Sequence, residues 1–126
     1  MQAPADLDVL IVDDHDGFRA LFERVLTKAG AQVRAAASGF DALALLAERP
    51  AALILADQNM PGMDGLAFVK AVRAEPAFAG ARIMMISGYA DAQQRAAALA
   101  AGADAVLMKP VSPRELLAAI NALLAV

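Results

Sequence analysis

The sequence contains no cysteine and no tryptophan, and it has one histidine and one tyrosine among its 126 residues. Without thiols the chain can form no disulfide, no thiolate metal site and no cysteine nucleophile. This composition is typical of proteins of the cytoplasm, where we expect the chain to reside. His15 has no sequence partner that would suggest a catalytic triad or a zinc site, so we interpret it as a surface residue.

Long apolar runs and an excess of basic residues are also missing. The alanine-rich stretch around residues 96–101 is interrupted by charge or glycine, and residues 1–8 lack the basic start and apolar core of a signal peptide. We therefore expect a protein that does not associate with a membrane. With 11 basic and 14 acidic residues the net charge is −3, so direct nucleic-acid binding by this domain is not expected.

Hydrophobic residues are abundant, at 60% of a chain whose length fits one domain. The predicted strands are approximately Leu7–Val12, Gln32–Ala36, Leu53–Ala56, Arg82–Ile86 and Ala105–Met108. A helix-like apolar stripe follows each strand, with cap residues at Ser38 and Ser112 and glycine stops at Gly30 and Gly102. Strands separated by helices pair in parallel when the crossovers are right-handed. The sequence thus predicts an α/β fold, a single doubly wound five-stranded parallel sheet with helices on both faces.

Polar and charged residues stand where the predicted strands end. Asp13 and Asp14 follow the first strand, Asp57 follows the third, Ser87 follows the fourth, and Lys109 follows the fifth. The carboxyl ends of parallel strands form the edge at which open α/β sheets bind ligands. Taken singly, each residue has an ordinary explanation, because acids favour helix N-termini and Ser-Gly pairs form turns. Their occurrence together points to a functional site.

This set resembles the receiver domain of two-component response regulators, and the resemblance covers essentially the whole chain. It consists of Asp-Asp, Asp, Ser and Lys-Pro in that order, with the sequence Met-Pro-Gly-Met-Asp-Gly at residues 60–65 after the middle acid. The resemblance implies a flavodoxin-like receiver fold with strand order 2-1-3-4-5. It also implies a receiver domain over residues 7–126, after a loose N-terminus at residues 1–6. The first and third strands are then neighbours, which brings Asp13, Asp14 and Asp57 together.

The resemblance further implies a Mg²⁺ site among these acids. Three like charges in one pocket raise one another's pKa unless a cation lies among them, and Mg²⁺ binds oxygen ligands while keeping several waters. By resemblance, Asp14 and Asp57 are direct ligands and Asp13 acts through water. Asn59 contributes its backbone carbonyl oxygen.

The resemblance assigns a role to each remaining residue. Asp57 is the phospho-acceptor, Lys109 places a positive charge on the phosphoryl oxygens, and Ser87 donates its hydroxyl to them. The donor is the phosphohistidine of a histidine kinase or a histidine phosphotransfer protein, and the transfer depends on Mg²⁺. Phosphorylation changes a surface that binds a downstream protein target, and a homodimer through the fourth helix, fifth strand and fifth helix is a further expectation. The chain is then a switch with slow self-dephosphorylation and not a turnover enzyme.

Two positions depart from the family pattern or extend it. Val106 stands three residues before Lys109, where receivers commonly carry an aromatic residue that reports the state of the site, so the usual route of read-out is absent. Tyr89, two residues after Ser87, is expected on the loop at the mouth of the site, where its ring would limit water access to the acyl phosphate. Ordinary surface packing of Tyr89 is the alternative.

Two other functions remain open at this point. One is a Mg²⁺-dependent phosphohydrolase with an aspartyl-phosphate intermediate, and the other is a docking module that works without phosphorylation. Asn59 stands where such hydrolases usually have a second acid, which weighs against the first function. The presence of the acids together with Ser87 and Lys109 weighs against the second.

Overall fold

The computed structural model describes residues 3–4, 6–89 and 91–125, and within them five strands alternate with five helices. The strands are β1 Asp8–Val12, β2 Gln32–Ala36, β3 Leu53–Asp57, β4 Arg82–Ser87 and β5 Ala105–Met108. The helices are α1 Asp16–Lys28, α2 Gly39–Glu48, α3 Gly65–Ala74, α4 Ala92–Ala101 and α5 Pro113–Leu124. Each predicted strand end agrees with these bounds to within one residue.

All five strands are parallel and lie in the order β2-β1-β3-β4-β5, which confirms the predicted fold class. Val12 at the end of β1 pairs with Ala36 of β2 and with Ala56 of β3, and Asp57 pairs with Ile86 of β4. The carboxyl ends of the strands therefore lie along one edge of the sheet.

Side-chain caps determine where several of the helices begin. The hydroxyls of Ser38 and Ser112 accept backbone N–H groups at the starts of α2 and α5, as the sequence predicts. The carboxylates of Asp64 and Asp91 do the same for α3 and α4. Each cap satisfies one of the free N–H groups of a helix N-terminus. The caps thus limit the length of the loops that join the strand ends to the helices.

The sheet is covered on both faces. Leu10 and Val12 of β1 point into a core that contains residues of α2, α3 and α4, whereas Val9 and Ile11 pack with residues of α1 and α5. β3 is buried along its whole length, including Asp57. Burial of both faces explains why the strands consist of nearly continuous apolar residues.

The predicted loose N-terminus, residues 1–6, is described only at residues 3, 4 and 6. Ala3 is buried and donates its backbone N–H to the carbonyl oxygen of Ala29 at 3.1 Å, while Met1, Gln2 and Ala5 lie outside the described residues. In the part of the chain that the structure describes, every helix is too short or too polar to cross a bilayer.

Candidate functional site

Three carboxylates meet at the carboxyl edge of the sheet. Asp13 and Asp14 directly follow β1, and Asp57 is the last residue of the neighbouring strand β3. One carboxylate oxygen from each residue lies within 4.8 Å of the other two. Asp13 and Asp57 are only 2% and 6% exposed, whereas Asp14 is exposed. The cluster therefore has one side inside the protein and one side open to solvent.

The pKa of the Asp57 carboxyl is raised above its ordinary value. Burial is the largest cause, because removal from water disfavours the charged form, and the negative charges of Asp13 and Asp14 act in the same direction. The charge of Lys109 and its hydrogen bond to the carboxylate lower the pKa, but they do not offset burial and two acids. An additional cation among the acids would relieve this repulsion.

Lys109 brings a positive charge to the same place. Its ammonium Nζ lies 3.2 Å from Asp13 Oδ2 and 3.2 Å from Asp57 Oδ1, and its side chain is 14% exposed. The backbone N–H of Lys109 donates to Ser87 O at 2.7 Å, and the Lys109–Pro110 peptide is cis. The anionic partner that a lysine at the end of an apolar strand needs is therefore the acid cluster.

Ser87 ends β4 beside the acid cluster and is buried. Its hydroxyl donates to the backbone carbonyl of Tyr89 at 2.5 Å, and the backbone N–H of Tyr89 donates back to Ser87 Oγ at 3.2 Å. The hydroxyl hydrogen is thus engaged by the loop that follows β4.

A cavity of about 120 Å³ adjoins Ser87. Its walls include Met85 of β4, Val106 of β5, Ala98 of α4 and the loop residue Tyr89. Tyr89 is 65% exposed, although it borders this space. The short side chains of Val106 and Ala98 leave room here that a larger residue at either position would occupy.

Phe18 and His15, at the start of α1, are not among the residues that the sequence motif singles out, yet both contact the site. Lys109 Nζ lies 4.2 Å from the centroid of the Phe18 ring. His15 is exposed, as expected, but its backbone N–H donates to Asp13 Oδ1 at 2.8 Å, and its Nδ1 accepts the backbone N–H of Phe18 at 3.2 Å. The sequence signal for Phe18 is its place in the first turn of α1, one turn after Asp14.

Asn59 lies in the loop after β3, two residues beyond Asp57, and is exposed. The loop returns to the sheet at Gly65, whose backbone N–H donates to Gln58 O at 2.9 Å. A Cβ at Gly65 would lie 2.7 Å from the carbonyl oxygen of Asp57, closer than non-bonded atoms approach. Glycine is therefore required where α3 begins against the end of β3.

The donor set suits a hard divalent cation. Carboxylate and carbonyl oxygens are the ligands that Mg²⁺ prefers, and an ion that keeps several waters needs a site that is partly open. Asp14 provides the open side, and Asp13 and Asp57 provide the inner side. The ammonium of Lys109 contacts two of the three carboxylates, those of Asp13 and Asp57, so negative charge remains in the cluster for a cation to balance.

Comparison with known proteins identifies what this arrangement is similar to. A family model described as the response regulator receiver domain matches residues 9–121. The chain is 38% identical to the probable chemotaxis protein CheY of Rhizobium etli, over 97% of this chain and 95% of that protein. It is 40% identical to the transcriptional regulatory protein GltR of Pseudomonas aeruginosa over 92% of this chain, and it spans 48% of the length of GltR.

A solved structure shows the same similarity in three dimensions. The chemotaxis protein CheY4 of Vibrio cholerae superposes with a TM-score of 0.91 at 35% identity, covering 95% of this chain and 100% of that one. The similarity thus extends over both the fold and the sequence.

Proposed function

The chain belongs to the family of response regulator receiver domains, and we propose that it serves within that family as a phosphorelay switch that accepts a phosphoryl group on Asp57. The observation that carries the proposal is the place of Asp57, a buried carboxylate at the end of β3 that lies within reach of two other acids and 3.2 Å from the ammonium of Lys109. We assign the domain to residues 7–126, after an N-terminal segment at residues 1–6, and place it in the cytoplasm.

Magnesium belongs to this proposal. Asp14 and Asp57 would bind the ion directly, the backbone carbonyl of Asn59 would be a further ligand, and Asp13 would act through water. When bound, Mg²⁺ would neutralise negative charge on the acids and on the phosphoryl oxygens. The clustered carboxylates and the raised pKa of Asp57 support this assignment.

In the proposed transfer, a carboxylate oxygen of Asp57 attacks the phosphorus of a phosphohistidine on a histidine kinase or a histidine phosphotransfer protein. An O–P bond forms as the P–N bond breaks, and the imidazole leaves with the bonding electron pair and takes up a proton. The ammonium of Lys109 and the hydroxyl of Ser87 then donate to the phosphoryl oxygens. Slow hydrolysis of the acyl phosphate resets the protein, which is why we class it as a switch and not as a turnover enzyme.

The proposed read-out starts at Ser87. A hydroxyl has one hydrogen to donate, so Ser87 cannot donate to a phosphoryl oxygen and to the Tyr89 carbonyl at once. Phosphorylation would therefore release the loop that carries the exposed Tyr89 ring. An apolar cavity of roughly 150 Å³ can bind benzene, so the cavity beside Val106, at about 120 Å³, is close to the size that an aromatic ring needs.

Entry of the Tyr89 ring into this cavity would alter the adjoining surface of α4, β5 and α5. Leu99 of α4 and Met108 of β5 are exposed there, and we place the contact with a downstream protein target on this surface. A homodimer would form through the same surface.

Intact-mass analysis after incubation with Mg²⁺ and acetyl phosphate tests the acceptor role. We expect one phosphoryl adduct in the native protein and none in Asp57→Asn or after chelation of Mg²⁺. An adduct of equal yield in Asp57→Asn would refute the assignment. Continuous release of phosphate from varied phosphomonoesters would instead favour a phosphohydrolase, and partner binding without any adduct would favour a docking module.

Tyrosine fluorescence tests the read-out separately. Because the chain has one tyrosine and no tryptophan, this signal reports Tyr89 alone. We expect acrylamide to quench it less after phosphorylation of the native protein, and equally before and after in Ser87→Ala at matched adduct occupancy. Unchanged quenching in the phosphorylated native protein would contradict the read-out while leaving the acceptor role intact.

A further inference from the structure

Phe18 contacts the ammonium that the proposed reaction uses. Lys109 Nζ lies 3.2 Å from a carboxylate oxygen of Asp13 and 3.2 Å from one of Asp57, and it lies 4.2 Å from the centroid of the Phe18 ring. A cation within about 6 Å of a ring centroid is attracted by the negative face of the ring, and the attraction strengthens when water is excluded. Lys109 is mostly buried, so the contact lies in the stronger part of that range.

The ring and the acids attract the ammonium in different ways. Asp13 and Asp57 carry full negative charges, whereas a ring face attracts the ammonium without a formal charge. The ammonium has three N–H donors and must be free to direct them at a phosphoryl group. An aromatic face can therefore hold Nζ in place while its donors change acceptor from a carboxylate to the phosphoryl oxygens.

The ring itself is held in place by its neighbours. Its centroid lies 6.2 Å from that of Phe22, a buried residue of α1, at an interplanar angle of 26°. The His15 ring lies 4.8 Å away on a tilt, and the backbone N–H of Phe18 is bound by His15 Nδ1. Phe18 is thus a rigid support at the end of the Lys109 side chain.

We propose that Phe18 is a positioning residue for phosphoryl transfer, holding the Lys109 ammonium against Asp57 through the face of its ring. This inference rests on the proposed function. It predicts that the reaction depends on the π face at position 18 and not merely on a large apolar side chain there.

The test compares Phe18→Leu, which keeps an apolar side chain of similar size, with Phe18→Tyr, which keeps the ring. The rate constant of adduct formation is measured by intact mass with Mg²⁺ over a range of acetyl phosphate concentrations. We expect Phe18→Leu to lower the maximal rate roughly three- to tenfold with little change in the half-saturating donor concentration. Phe18→Tyr should stay within about twofold of the native rate.

A spectroscopic measurement checks the contact without any reaction. A ring face shifts the signals of protons above it upfield, so the ε-methylene protons of Lys109 should be shifted relative to those of Lys28 and Lys70, the only other lysines of the chain. The shift should persist in Phe18→Tyr and vanish in Phe18→Leu.

Equal losses of rate in both variants, a native rate in Phe18→Leu, or the absence of the upfield shift would each overturn the inference. These outcomes differ from failure of the proposed function, in which the native protein itself forms no adduct on Asp57 and the role of Phe18 falls with it.

Discussion

The two sides of the sheet's carboxyl edge differ in how completely their groups are held. On the β1–β3 side, Asp13 and Asp57 are nearly buried, and Lys109 joins them through two contacts of 3.2 Å. On the β4–β5 side, Ser87 bonds to its own loop, Tyr89 is mostly exposed, and a cavity lies beside them. The groups proposed for chemistry are therefore positioned in advance, which favours charge stabilisation, whereas those proposed for read-out have space to move.

Lys109→Met should give the largest effect, because it removes the cation that pairs with the acids on the β1–β3 side of the edge. We expect the rate of phosphorylation by acetyl phosphate, followed by intact mass, to fall on the order of a hundredfold, as for loss of one charge-stabilising donor. Without Mg²⁺ at neutral pH, the thermal unfolding midpoint should also fall, because Asp13 and Asp57 lose their cationic partner. Lys70→Met, at an exposed position of α3, should match the native protein in both measurements.

Gly65→Ala tests whether the end of β3, on the β1–β3 side of the edge, tolerates added volume. The new Cβ would lie 2.7 Å from Asp57 O and 2.8 Å from Gln58 Cα, so the backbone must shift at the proposed acceptor. We expect a loss of about 1–3 kcal/mol in unfolding free energy, measured with urea, together with slower phosphorylation. Gly80→Ala is the matched control, because no atom lies within 4 Å of a Cβ there. Equal unfolding free energies of the two variants would show that the backbone at this end of β3 shifts at little energetic cost.

Tyr89→Ala tests the β4–β5 side of the edge, where the Tyr89 ring is exposed. The cavity borders Ser87, which donates to the phosphoryl group in the proposed site. A Tyr89 ring that enters the cavity would therefore limit water access to the acyl phosphate from this side, and the alanine variant should lose phosphate faster. We expect the rate of phosphate loss to rise by less than roughly a hundredfold, the lower end of what a general acid or base contributes, because removal of the ring admits water but adds no catalytic group. Phosphate loss from the isolated phosphoprotein gives the rate, and Tyr89→Phe should retain the native value. An unchanged or slower rate of phosphate loss in the alanine variant would contradict the hypothesis that the ring limits water access.

Val106→Phe removes the difference between the two sides by filling the cavity. We expect phosphorylation within about twofold of the native rate, since the acids and Lys109 are untouched, but no decrease in acrylamide quenching of Tyr89 on phosphorylation. Val106→Ala enlarges the space and should keep the native fluorescence response. A full response in Val106→Phe would mean that the ring moves elsewhere or not at all.

The smallest effect concerns the pH dependence of stability in the metal-free protein. Because burial raises the pKa of Asp57, the native state binds more protons than the unfolded state between the ordinary and the raised pKa. The contribution of this group is therefore favourable at lower pH and is lost as pH rises through the raised pKa, by at most about 1.4 kcal/mol per pH unit. Urea unfolding across this window should show the contribution in the native protein and not in Asp57→Asn. The variant should gain stability relative to the native protein as pH rises, and the opposite trend would contradict the raised pKa.

Most of the fold follows from local patterns in the sequence. Apolar runs and cap residues such as Ser38 and Ser112 act through neighbours a few positions away, so the strand and helix limits can be predicted from them. Asp13, Asp57 and Lys109 could be named because each follows an apolar run. The strand order that brings them together came from the family resemblance and not from spacing, since the lengths of the loops permit more than one order.

The contacts that could not be predicted from the sequence depend on how distant elements pack together in the folded protein. Phe18 belongs to the apolar stripe of α1, and only the packing of that helix in the folded protein shows that its ring faces Lys109. The absence of an aromatic residue at Val106 is visible in the sequence, but the resulting cavity depends on Ala98 and Met85 as well. The bond from Ser87 to the Tyr89 carbonyl depends on the loop backbone, which no residue type specifies.

The lysine at the end of β5 has a consequence for the protein without bound metal. Lys109 already lies against the oxygens that a divalent ion would seek, so the polypeptide carries a built-in counter-ion for its own acidic pocket. The acid pocket has a counter-charge without magnesium, and binding of the proposed metal would be an exchange of partners at Asp57. The proposed acceptor would thus stay paired with Lys109 until ion and donor come together.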